Sequence, residues 1–168
     1  MTHDKLTVKA QEAISRAGQM AQAKGHPQLT AVHLLASLMQ EPEGGIVEPL
    51  LSKVGAAVDR IRSIAESELA RLPRATGGQT APAPEFARIL DEADKQARAM
   101  NDDYVSTEHL LLALAEVKSD AKEILSVSGV TRDALLTAMK AIRGGGRVTD
   151  ENPEDKYQAL QRYGRDLV

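Results

Sequence analysis

Apolar positions along the chain recur at helical spacing from near the first residue to position 142. Ala10, Ala13, Ile14, Ala17 and Ala21 fall on one face of a 3.6-residue period. Thr7 reads as the N-cap of that helix and Gly25 as its left-handed stop. Thr30 opens a second helix whose apolar face is Ala31, Leu34, Leu35 and Leu38. A short third helix spans about 46–54 and stops at Gly55. A fourth carries Val58, Ile61, Ala65, Leu69 and Leu72 and stops at Pro73.

The pattern then repeats. At an offset of 76 residues, Ala17, Ala21, His33, Leu34, Leu35 and Leu38 fall on Ala93, Ala97, His109, Leu110, Leu111 and Leu114. Beyond the Pro42-Glu43-Gly44-Gly45 stretch the offset becomes 74, placing Leu51, Gly55 and Asp59 on Leu125, Gly129 and Asp133. Two residues are gained or lost where a surface loop tolerates it. In the second copy Phe86, Ile89, Leu90, Ala93 and Ala97 form the stripe, and Asn101 stands where Gly25 stops the first. Ser106 replaces Thr30 as a cap, Ser119 and Thr131 cap the last two helices, and Leu135, Met139 and Ile142 point inward. Strand-forming residues are scarce. These elements predict an all-α fold of two four-helix repeats related by a pseudo-twofold, packed on each other through their apolar faces.

The boundaries follow. Residues 1–143 form the double-repeat domain, with repeat one at about 4–73 and repeat two at about 83–143. A loop at 73–84 crosses between them, and a Gly-rich linker occupies 144–152. Asn152-Pro153-Glu154-Asp155 reads as a new helix start, with Pro at the first position and acids in the first turn. The segment 153–168 has no stop signal and is expected to be the interrupted beginning of a longer helix. The linker should span on the order of 15 Å and leave the domain free to reorient.

Composition narrows the function. Among 168 residues the net charge is −3, so the basic stripe of a phosphate-backbone binder is lacking and nucleic acid is not expected as a partner. No apolar run reaches membrane-spanning length and no signal-peptide core follows the N-terminus, which makes a cytoplasmic location the expectation. The chain has no cysteine. Aromatic residues are 2% of the total, so Leu, Ile, Val, Ala and Met must build the core.

Candidate chemistry is sparse. No G-x-x-x-x-G-K-[ST] motif is present, so no phosphate-cradling loop is expected, and with it no ATP binding, no catalytic residue and no resident cofactor or metal. His33 and His109 occupy equivalent places three residues after a cap, and read as local helix-entrance histidines. Asp102, Asp103 and Glu108 cluster near a turn, where carboxylates satisfy backbone amides and the helix dipole. Leu90 and Phe86 read as core, with peptide contact as the sharper alternative.

Two copies of a unit bearing Thr30-Ala31-Val32-His33-Leu34-Leu35 and Ser106-Thr107-Glu108-His109-Leu110-Leu111 resemble the double Clp N-terminal repeat of the AAA+ chaperone family. The tail, Asn152 to Leu160 followed by Tyr163-Gly164-Arg165-Asp166-Leu167, is similar to the segment that joins this domain to a first AAA+ module in the disaggregating branch. The resemblance implies a non-catalytic module that captures unfolded or aggregated protein clients in an apolar groove. The parent would be an ATP- and magnesium-dependent homo-hexamer threading clients with the Hsp70-type chaperone system. Residue by residue it implies client-binding roles for Thr7, Asp102 and Glu108, with Leu90, Tyr104 and Val105 as the apolar wall. It also implies a more polar groove floor at His109. Adaptor docking for a Clp protease is the alternative of the same kind, and a stand-alone enzyme the alternative of another. The protease-feeding relatives that read phosphorylated arginine carry an acid in both repeats. Here Val32 stands opposite Glu108, which argues against a symmetric pair of such sites.

Overall fold

In the computed structural model, residues 5–42, 44–75 and 77–144 are described. Among them are eight helices: α1 (Val8–Ala23), α2 (Ala31–Met39), α3 (Val47–Val54), α4 (Val58–Ala70), α5 (Pro84–Ala99), α6 (Thr107–Glu116), α7 (Asp120–Val127) and α8 (Arg132–Arg143). Beyond Gly144, the Gly-rich linker and the interrupted helix at 153–168 lie outside the described residues.

The punctuation predicted from sequence sets the helix ends. Thr7 Oγ1 accepts from the Ala10 N–H at 3.2 Å at the start of α1. Ser119 and Thr131 accept in the same way from Lys122 and Ala134. Gly25 turns the chain after α1 at φ 71°, and Asn101, at the equivalent place after α5, does so at φ 59°. It is the one non-glycine residue with positive φ among the described residues. Asn tolerates this conformation because its short amide bonds locally.

Leu34, Leu35 and Leu38 of α2, and Leu110, Leu111 and Leu112 of α6, are fully enclosed. Each gains about 1.5–3 kcal/mol relative to exposure. The sequence predicts one apolar face for these two helices, but α2 is buried along its whole length and α6 from Thr107 to Ala115. They form the centre, packed against each other and wrapped by the rest. A helix enclosed on all sides must satisfy its polar groups internally. Ser37 Oγ accordingly donates to the Ala13 carbonyl at 2.6 Å.

The repeats also cross-brace through backbone pairing. Gln28–Leu29, ahead of α2, pairs in parallel with Ala81–Pro82, ahead of α5. Val105, ahead of α6, bridges in parallel to Leu6, ahead of α1. The Ala83 N–H donates to the Leu29 carbonyl and the Thr7 N–H to the Val105 carbonyl, both at 2.9 Å. Residues 76 apart thus make the same bond, so the pseudo-twofold extends to the backbone. The 73–84 crossing is held more firmly than a plain loop: the Ala75 N–H donates to the Gly25 carbonyl and Thr80 Oγ1 to the His26 carbonyl.

Candidate functional site

The connection from α5 to α6, residues 100–106, brings most of the sequence-predicted site residues together. Leu90 is half-buried on α5, with Asp94 and Arg98 following at four-residue steps along one face. Tyr104 is partly exposed, while Val105 is buried. A surface depression of about 530 Å³ is lined by Lys5, Asp94, Arg98, Asp102, Asp103, Tyr104 and Val105, among others. Two partly exposed candidates, Leu90 and Tyr104, therefore lie on or beside one concave face.

The side chains of the three polar candidates are enclosed beside that face. Thr7 is fully buried, capping α1 and donating its N–H to Val105. Asp102 and Glu108 are buried and turn toward Arg143, the last residue of α8. One guanidinium nitrogen of Arg143 donates to both Asp102 oxygens, at 3.2 and 2.9 Å. The other donates to Glu108 Oε1 at 2.5 Å. Burial works against the Arg143 charge, but Glu108 and then Asp102 outweigh it, and its pKa is raised above the ordinary value.

His109 completes the cluster. Its Nδ1 accepts the Ser106 N–H at 2.8 Å, so Nε2 carries the ring proton and donates to Asp102 Oδ2 at 2.6 Å. Ser106 Oγ lies 3.1 Å from the same Nδ1 and donates to Glu108 Oε1. Serine, histidine and aspartate in hydrogen-bonded sequence resemble a nucleophilic triad, but the geometry is that of a helix cap. Ser106 is fully buried, its own N–H occupies the ring nitrogen that would take its proton, and Glu108 already accepts its hydroxyl. The first repeat makes the same cap: the Thr30 N–H donates to His33 Nδ1 at 2.9 Å. In both copies histidine stands in for the Glu or Gln of a capping box. His109 is enclosed as well, so it presents no polar floor to the surface.

The partner of each histidine differs. His33 Nε2 lies 2.8 Å from Nδ1 of His26, the residue 76 before Asp102. Since Nδ1 of His33 accepts from Thr30, His33 donates and His26 accepts. Burial, then the neighbouring His26 and Lys24, lowers the His33 pKa to about 4. Burial, then Lys24 and Arg74, also lowers that of His26. At the other matching places Val32 stands for Glu108 and Leu69 for Arg143. One repeat therefore solves the same packing problem with charges, the other without.

Arg143 and His26 escape the sequence reading, which places Ile142 inward. Ile142 does pack against the core, partly buried, and the Arg143 side chain beside it is enclosed as well. The signal was present: Leu135, Met139 and Arg143 are four apart on one stripe, so a charge falls on an apolar face.

The Clp repeat (R) N-terminal domain model matches residues 5–142. The chain belongs to this family. Chaperone protein ClpB of Rhodopirellula baltica is 41% identical over 98% of this chain and 19% of its own length. ClpB of Bacillus cereus is 36% identical over 100% of this chain and 20% of its own. The Clp-family chain thus spans about a fifth of the length of the curated relatives it matches. Among solved structures, the Hsp104 N-terminal domain of Candida albicans superposes with a TM-score of 0.78 at 23% identity, covering 89% of this chain and 99% of that one. A ClpV N-domain in complex with a VipB peptide superposes at 0.68 and 21% identity, covering 87% and 91%. At these identities the structures show a shared fold, that of the Clp N-terminal domains. The chain is therefore not itself the ATPase module of such a protein. No described helix is long and apolar enough to cross a membrane.

Proposed function

We propose that this Clp N-terminal domain captures unfolded or aggregated protein segments for an ATP-driven disaggregase of the ClpB type. The observation that carries the reading is the similarity to ClpB chaperones across the whole chain, at 36–41% identity. The client lies along the face formed by Leu90, Tyr104 and the depression beside them. A half-buried leucine and a tyrosine offer apolar contact, and Lys5, Asp94 and Arg98 on the rim orient an extended backbone. Affinity is weak, because a short face gains modest apolar burial against the ordering of a flexible segment. The rest of the parent supplies ATP, magnesium, the homo-hexameric pore and cooperation with the Hsp70-type system. Weak binding suits that arrangement, since a tethered domain raises local client concentration and must still release it to the pore.

The test is NMR of the isotopically labelled chain titrated with reduced, carboxymethylated α-lactalbumin, a permanently unfolded protein. Amide shifts centred on Leu90 and 102–106, with the 73–84 crossing unmoved, are expected. Shifts confined to 73–84 would place the client elsewhere.

A further inference from the structure

We infer that Asp102 and Glu108 serve the client-binding face as positioning residues held by Arg143, and do not themselves touch the client. The inference rests on the client-binding reading above and concerns how that face is kept in shape.

Access argues first. The side chains of Asp102 and Glu108 are 0% and 2% exposed, and that of Arg143 is 4%. A client reaching either carboxylate would have to displace a guanidinium that bonds both. It would also have to displace the imidazole proton on Asp102 and the Ser106 hydroxyl on Glu108. A carboxylate buried against such donors gains little by exchanging them for a peptide N–H.

Placement argues second. The segment 102–106 is pinned from two sides. The Thr7 N–H donates to the Val105 carbonyl and the Val105 N–H to the Lys5 carbonyl, while Arg143 grips Asp102 from behind. Lys5, Asp102, Asp103, Tyr104 and Val105 all line the depression. Polar residues that a residue-by-residue comparison assigns to client contact thus share a different task, holding the rim on which Tyr104 stands.

The first repeat supplies the control. Its matching places hold His26, Val32 and Leu69, all buried, with His26 bonded to the equivalent capping histidine, so this repeat packs without an ion cluster at those places. Converting the second repeat to that solution removes both carboxylates while keeping a packable interior.

The experiment compares three chains of residues 1–168: wild type, Arg143→Leu, and the triple variant Asp102→His, Glu108→Val, Arg143→Leu. Binding of fluorescein-labelled carboxymethylated α-lactalbumin is read by anisotropy, with helicity checked by circular dichroism. The single variant removes the guanidinium that both carboxylates bond and should lose affinity at least tenfold. The triple variant should bind within about threefold of wild type. A folded triple variant that has lost tenfold or more would mean that the carboxylates contact the client, and would overturn the inference. A folded single variant with wild-type affinity would overturn it too. A measurement on the wild type covers the case in which a variant fails to fold. On adding the probe, the amides of 102–106 should shift while the side-chain carboxyl carbons of Asp102 and Glu108 stay in place. Carboxyl shifts exceeding the amide shifts would again mean direct contact. If the wild type shows no shifts and no anisotropy change, the client-binding reading itself fails, a result distinct from any of these.

Discussion

Replacing Arg143 by leucine should destabilise the domain strongly, and the structure sets the scale. The guanidinium is enclosed and is the cation for two buried carboxylates. Removing one side of such a cluster leaves uncompensated charge in a medium that solvates it poorly, at a cost of about 3–5 kcal/mol. Loss of apolar packing is a small part of this, because the leucine fills much of the same space and the equivalent Leu69 is buried in the first repeat. With a urea m-value of about 2 kcal/mol/M for a chain of this size, the unfolding midpoint should fall by roughly 1.5–2.5 M. The triple variant that also carries Asp102→His and Glu108→Val should recover to within about 1 kcal/mol of wild type, since replacing every member of an ion cluster by a packed alternative is often near neutral. Urea titration followed by circular dichroism reads both. A single variant within about 1 kcal/mol of wild type would mean that water reaches the carboxylates, and the clamp would not be the buried anchor described here.

Other outcomes follow from single features. His33 is held neutral, its folded pKa of about 4 lying below its unfolded value, so the unfolded chain takes the proton first. Its contribution is complete above about pH 6.5 and is lost as pH falls toward 4, by at most about 3 kcal/mol. His33→Gln keeps a capping-box residue without the titration and should flatten urea stability over that window; an unchanged slope would refute the assignment. Asn101→Ala should cost about 1 kcal/mol while Asn101→Gly costs nothing, because φ is 59° there; equal midpoints for the two would contradict the left-handed turn. Thr7→Val should lower stability by about 1 kcal/mol through loss of the cap on α1, and Thr7→Ser should not, as thermal melts would show.

Much of the fold is legible because each helix carries its own stop and start. Gly25 and Asn101, so unlike in type, do the same work 76 residues apart, and the repeat makes one reading check the other. Helix enclosure is less legible. The run from Ala31 to Met39 has helical periodicity, but period alone does not say how many sides are covered, and only packing shows that His33 and Ser37 are inside. The candidate site divides along the same line. Leu90 and Tyr104, wall residues by the resemblance, are the partly exposed members of the set. The resemblance assigns Asp102 and Glu108 to client binding, and the cation that holds them, Arg143, is hidden from such a reading because it lies 41 and 35 residues away in sequence. A long-range ion pair leaves no periodic trace except a charge on an apolar stripe.

The central claim is that this domain holds unfolded protein. The most direct measurement is fluorescence anisotropy of labelled α-lactalbumin in two forms, native with its disulfides intact and reduced with its cysteines carboxymethylated, titrated with the 1–168 chain. Saturable binding of the unfolded form, in the micromolar range or weaker, with none of the native form, is the expected result. Equal binding of both forms, or binding of neither, would contradict the account.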